Sequence, residues 1–160
     1  MPIDQELIDE IIENINNAHF IFIIGNGGAA SQADHFACDL LKGAGKRAIS
    51  LCNNFALISA IANDDAFENI FLTQLKVLFD LKRDILIALS TSGKSKNVIA
   101  AAKYIFLNGG KVIAITGKSG GDLRYYATHL LRIESDDTQN CEDEFAKLCH
   151  SIYKELSYVK

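Results

Sequence analysis

At 160 residues the chain is long enough to bury a core without disulfides or a structural metal, and 49% hydrophobic with 22% charged residues excludes an intrinsically disordered chain. A net charge of -4 argues against a general binder of nucleic acid or of anionic membranes, which draw affinity from clustered Lys and Arg. The acidic start MPIDQELIDE is unlike a secretory signal, and no apolar run approaches the ~20 residues that span a bilayer, so a soluble cytoplasmic protein is expected.

Ile3, Leu7, Ile8, Ile11, Ile12 and Ile15 recur at helical spacing, which predicts an amphipathic helix over 3–17 closed by Asn16-Asn17. His19 to Ile24 (HFIFII) is almost continuously apolar and runs into Gly25-Asn26-Gly27-Gly28, the pattern of a strand buried on both faces. A helix over 29–43 then places His35 and Asp39 four residues apart, on one face. Next come a strand over 48–52, helices over 54–61 and 65–80, and a third strand over 84–90. That strand leads into Ser90-Thr91-Ser92-Gly93-Lys94-Ser95 and a helix over 95–107. A strand over 111–116, a helix over 119–127 and a strand over 129–133 follow. A last helix over 138–157 carries Glu142 and His150 eight residues apart, about 80° around the axis.

Apolar strands alternating with helices call for a parallel sheet covered on both faces and joined by right-handed crossovers. The expected fold is therefore a three-layer α/β sandwich with five parallel strands in the flavodoxin-like order 2-1-3-4-5. Pro2 is the only proline and no linker interrupts the sequence, so one domain over 1–160 is expected. In such sheets ligands sit beyond the carboxyl ends of the strands where the order reverses, here between the loops after strands 1 and 3.

Both loops carry chemistry. Gly25-Asn26-Gly27-Gly28-Ala29-Ala30 satisfies a loose G-x-G-x-x-A pattern, but strand 2 ends in Ser50-Leu51-Cys52-Asn53, without the acidic residue a dinucleotide ribose would need. The glycines let backbone approach a ligand closely and open a helix whose free N–H groups favour anions. After strand 3, one serine would suffice as a helix cap, whereas four hydroxyls and exposed amides form a phosphate cradle. His35 and Asp39 with Glu142 and His150 form a two-helix set for a metal or for acid/base chemistry, although spacing alone equally admits surface pairs. Cys38, Cys52, Cys141 and Cys149 lack zinc-finger spacing and scaffold density, and are expected to be reduced, mostly buried thiols.

Taken together, Gly25-Asn26-Gly27-Gly28, His35-Phe36-Ala37, Ala62-Asn63-Asp64, Ser90 through Val98 and Thr116-Gly117-Lys118-Ser119-Gly120-Gly121 resemble the phosphoheptose isomerases of the sugar isomerase (SIS) domain family. The resemblance implies an aldose-ketose isomerase that interconverts sedoheptulose 7-phosphate and D-glycero-D-manno-heptose 7-phosphate through an enediol, in heptose biosynthesis for lipopolysaccharide or capsule. It implies phosphate contacts from Ser90, Thr91, Ser92 and Ser95, and sugar contacts from Asn26, Gly27, Gly28, Asp64 and Glu142. It further implies one zinc per subunit on His35, Asp39, Glu142 and His150, with Asp39 as base and His150 as acid. Ala29 stands where the family usually has serine, Asp39 where it has glutamate, and Glu142 where it has glutamine. The chain starts about one helix later than the family pattern, whose extra helix helps build a tetramer, so a dimer or tetramer is expected. The rival expectation is a non-catalytic SIS module that binds a phosphosugar or a protein partner.

Overall fold

Alternation along each strand decides how the two faces of the sheet are filled. In the computed structural model, which describes residues 4–157, five strands run parallel: β1 (Ile21–Ile24), β2 (Ala48–Ser50), β3 (Ile85–Ser90), β4 (Lys111–Thr116) and β5 (His129–Arg132). Their order is β2-β1-β3-β4-β5, with Ile23 paired to both Ser50 and Ile87, so the reversal lies between β1 and β3 as expected. Residues one apart point to opposite faces. Ile21, Ile23, Ile85, Ile87, Ile113 and Ile115 face one core, while Phe22, Ile24, Leu86, Ala88, Val112 and Ala114 face the other.

Six α-helices cover these faces: α1 (Gln5–Asn17), α2 (Gly28–Cys38), α3 (Phe55–Asp64), α4 (Ile70–Leu78), α5 (Lys96–Leu107) and α6 (Thr138–Ser157). Ile3, the first residue of the expected helix, lies outside the described residues, and Asp4 caps α1 by accepting from the Glu6 N–H at 3.1 Å. The apolar stripes of α1, α2 and α6, with Ile11, Phe36 and Phe145 fully buried, close the first face. Phe71, Leu75, Val98 and Ile105 from α4 and α5 close the second. Among the described residues no helix is long and apolar enough to cross a membrane.

Three expected helices differ in detail. The helix over 29–43 is α only to Cys38 and continues as a π-helical turn over Asp39–Gly43, in which Ala44 N–H donates to Asp39 C=O at 3.2 Å. The segment expected as a helix over 65–80 begins with a 3₁₀ turn at Phe67–Asn69, and the one over 119–127 is 3₁₀ throughout, at Asp122–Tyr126. Gly120 and Gly121, both with positive φ, leave too few residues before β5 for a full α-helix.

The four cysteines are free, but their surroundings differ. Cys141 and Cys149 are buried, Cys52 is half-buried and Cys38 is exposed, so the mostly buried expectation fails at Cys38. Burial pushes the Cys149 thiol up to about 12. At pH 8 such a group is thiolate in roughly one molecule in ten thousand. Native protein treated with a maleimide at pH 8 is therefore expected to label at Cys38 and not at Cys149, with Cys149 labelling only after unfolding. Peptide mass spectrometry reads the difference, and fast labelling of Cys149 would contradict the packing of α6.

Candidate active site

The loop after β1 and the loop after β3 meet at the sheet's reversal, at the carboxyl ends of the strands. Between them lies a cavity of about 190 Å³ lined by Asn26, Ala29, Ser90, Thr91, Ser92, Ser95, Thr138 and Glu142. A larger cavity of about 800 Å³ opens at the opposite end of the sheet, around His19, Arg83 and Lys111, away from the strand ends where such folds bind ligands.

The hydroxyl-rich loop is shaped for an anion. Gly93, at φ +62°, turns the chain so that its N–H donates to Ser90 C=O at 3.1 Å. Ser95 is the N-cap residue of α5, yet its side chain makes no capping bond and instead accepts from Ser90 Oγ at 3.3 Å. The simple-cap reading thus fails at the residue best placed to fulfil it. The first amides of a helix have no backbone partner within it; here the Val98 N–H donates to Asn97 Oδ1, while the cap hydroxyl leaves those of Lys96 and Asn97 open. The loop after β4 braces this turn, because Leu123 N–H donates to Gly93 C=O at 3.0 Å and a Cβ on Gly93 would strike the Gly120 carbonyl.

Gly27, at φ +56°, starts α2, and Gly28 follows as its first helical residue. A Cβ on Gly28 would meet the Glu142 carboxylate, so the glycine leaves room for that side chain where α6 passes α2. Seven residues farther along α2 and eight farther along α6, His35 and His150 meet with their Nε2 atoms 3.0 Å apart. Asp39 Oδ2 lies 3.5 Å from His35 Nε2 and 3.8 Å from His150 Nε2. The shorter carboxylate of Asp39 therefore reaches both imidazoles from the first position of the π-helical turn.

These three side chains form the group of potential metal ligands among the described residues, their atoms all within 4.8 Å of one another. Donors at tetrahedral corners around an ion with bonds of 2.0–2.1 Å stand about 3.3 Å apart, so separations of this size fit a divalent metal. Glu142 is not among the three, and its side chain lines the hydroxyl cavity. Asp64 also stands apart, exposed at the end of α3, where it accepts from Asn63 Nδ2 at 2.8 Å, and it is not among the residues lining the cavity. The residue overlooked from sequence is Asn97, whose buried amide pairs with Asn26; its only signal was membership of the Ser-rich motif.

A hydroxyl-lined cavity and a triad of potential metal ligands thus stand on one doubly covered parallel α/β sheet. SIS domain family models match residues 3–117 and 78–157. The phosphoheptose isomerase of Helicobacter pylori (strain P12) is 38% identical over 157 residues, covering 92% of this chain and 81% of that protein. A probable phosphoheptose isomerase of Thermoplasma acidophilum is 35% identical, over 91% of this chain and 82% of that one. The solved structure of a phosphoheptose isomerase from Neisseria gonorrhoeae superposes with a TM-score of 0.88 at 29% identity, over 94% of this chain and 86% of the other. The chain belongs to the SIS-domain family, in its phosphoheptose isomerase branch.

Proposed function

We propose that this chain is an aldose-ketose isomerase that interconverts sedoheptulose 7-phosphate and D-glycero-D-manno-heptose 7-phosphate, as one SIS domain working in the cytoplasm as a dimer or tetramer. The observation that carries the reading is the distance built into α2. Ala29 lines the hydroxyl cavity and His35 stands in the triad, six residues and thus about 9 Å along the helix. Seven carbons and an ester oxygen, at roughly 1.5 Å per bond, extend to about the same length. A phosphate held by Ser90, Thr91, Ser92 and Ser95 then leaves the far carbons at Asp39 and His150.

Isomerisation moves a proton from C1 of the ketose to C2 and shifts the hydroxyl protons, which requires a base, an acid and support for developing negative charge. Asp39 takes the C1 proton and returns it to C2. His150 gives a proton to the C2 oxygen and accepts the one leaving the C1 hydroxyl, so no atom is gained or lost. Two imidazoles and one carboxylate with a free fourth position are a zinc donor set, and zinc, when bound, supplies a Lewis acid for the two substrate oxygens. Asn26, Gly27 and Gly28 border the sugar, and Glu142 faces it as a hydrogen-bond acceptor rather than as a metal ligand. Exposed Phe55, Phe67 and Val77 on the α3–α4 side support self-association.

Metal analysis with an isomerase assay tests the proposal. Purified protein is expected to carry about one zinc per chain and to turn over sedoheptulose 7-phosphate, and a chelator is expected to remove activity that zinc restores. Binding of the sugar phosphate without turnover would favour the non-catalytic module.

A further inference from the structure

Asn97 sits in the first turn of α5, is 2% exposed and does not line the cavity formed with Ser90, Thr91, Ser92 and Ser95, although it borders a second one beside Phe67. Its amide exchanges two hydrogen bonds with Asn26: Asn26 Nδ2 donates to Asn97 Oδ1 and Asn97 Nδ2 donates to Asn26 Oδ1, each at 2.8 Å. The direction of the pair is fixed from the helix side. Val98 N–H donates to Asn97 Oδ1 at 3.0 Å, and a backbone donor can face only the oxygen of an amide. Asn97 Nδ2 must then point at Asn26, which turns the Asn26 oxygen inward and sets its nitrogen opposite.

Asn26 is the more accessible of the two, and only it borders the hydroxyl cavity. It borders both the cavity shared with Ser90, Ser95 and Glu142 and a second one of about 450 Å³ shared with Phe67, Glu68 and Lys96. One N–H and one lone pair of its amide remain for a ligand. Without its partner, Asn26 would hang from a loop between Gly25 and Gly27 with both side-chain torsions free. We propose that Asn97 is a positioning residue for isomerisation, acting solely through Asn26: it ties the sugar-facing amide to the helix whose start receives the phosphate. One rigid unit then fixes the direction in which the sugar leaves the phosphate loop, and a misplacement of about 1 Å at the reacting carbons can cost ~10²-fold in rate.

The inference rests on the isomerase reading, and the test separates the two. Asn97→Ala, Asn26→Ala and the double variant are compared in kcat for sedoheptulose 7-phosphate and in competitive inhibition by inorganic phosphate. Asn97→Ala is expected to lower kcat 10- to 100-fold with phosphate inhibition unchanged within about 2-fold. In the Asn26→Ala background the same substitution is expected to change kcat less than about 2-fold. Weakened phosphate inhibition, or a kcat loss that persists in that background, would show a merely structural role and overturn the proposal. If Asn97→Ala does not fold, Asn97→Asp keeps the acceptor for Val98 but sets an oxygen against Asn26 Oδ1, and the same kcat loss is expected. Absence of turnover in the unmodified protein would refute the isomerase reading alone. The cycle is then read in affinities, where Asn97→Ala should weaken sedoheptulose 7-phosphate about 10-fold and phosphate not at all, and equal weakening would overturn it.

Discussion

Replacing His150 with alanine is expected to lower kcat by 10²- to 10⁴-fold, the range a positioned acid/base group contributes. His150 is 46% exposed at the side chain and its imidazole meets His35 and Asp39 across the helix pair, so the fold should lose within about 0.5 kcal/mol. Circular dichroism and the unfolding midpoint check that half of the expectation. The other half separates acid from ligand. His35→Ala removes an imidazole of the same triad but no proton-transfer group, so excess zinc should recover part of its turnover and none of that lost in His150→Ala. Full turnover by His150→Ala would remove it from the reaction, and recovery of both variants by zinc would make it a ligand alone.

The strands and the reversal between β1 and β3 were legible because burial on both faces demands continuous apolar runs, and HFIFII and ILIALS satisfy that demand with no competing pattern. The position of Ser90 through Ser95 was legible for a related reason, since a strand ending in small polar residues ahead of an alanine-rich helix marks the loop at the sheet's reversal. The π-helical turn at Asp39–Gly43 was not, because pairing five residues back instead of four leaves Phe36, Ala37, Leu40 and Ala44 on the buried side either way. The sequence could not show that Glu142 lines the hydroxyl cavity, because that depends on how α6 packs beside the loop after β3. The Asn26–Asn97 pair joins residues 71 apart, and only the folded sheet brings the two loops together. Periodicity reports what a residue turns towards, whereas a partner across a crossover leaves no periodic trace.

Gly93→Val is expected to lower kcat/KM by 10²- to 10⁴-fold, chiefly by loss of phosphate affinity. A β-branched residue at φ +62° is strained by about 1–3 kcal/mol before any contact is considered. The added Cβ also meets the carbonyl of Gly120, which is backbone and cannot rotate aside. The loops after β3 and β4 must part, losing the Leu123-to-Gly93 hydrogen bond and withdrawing Ser92 and the amide of Lys94 from their places beside Ser90. Charge-assisted hydrogen bonds contribute about 1.5–3 kcal/mol each, so loss of two accounts for the expected range. Gly109→Val isolates the strain: it has φ +80° with open space where its Cβ would stand, in the turn between α5 and β4 at the other end of the sheet. That variant should lose stability by the strain alone, about 1–3 kcal/mol in denaturant, and keep its kcat/KM and its inhibition by inorganic phosphate. If Gly93→Val bound phosphate as tightly as Gly109→Val, the dianion would have to be held elsewhere, and Ser90 through Ser95 would be no more than the cap of a helix.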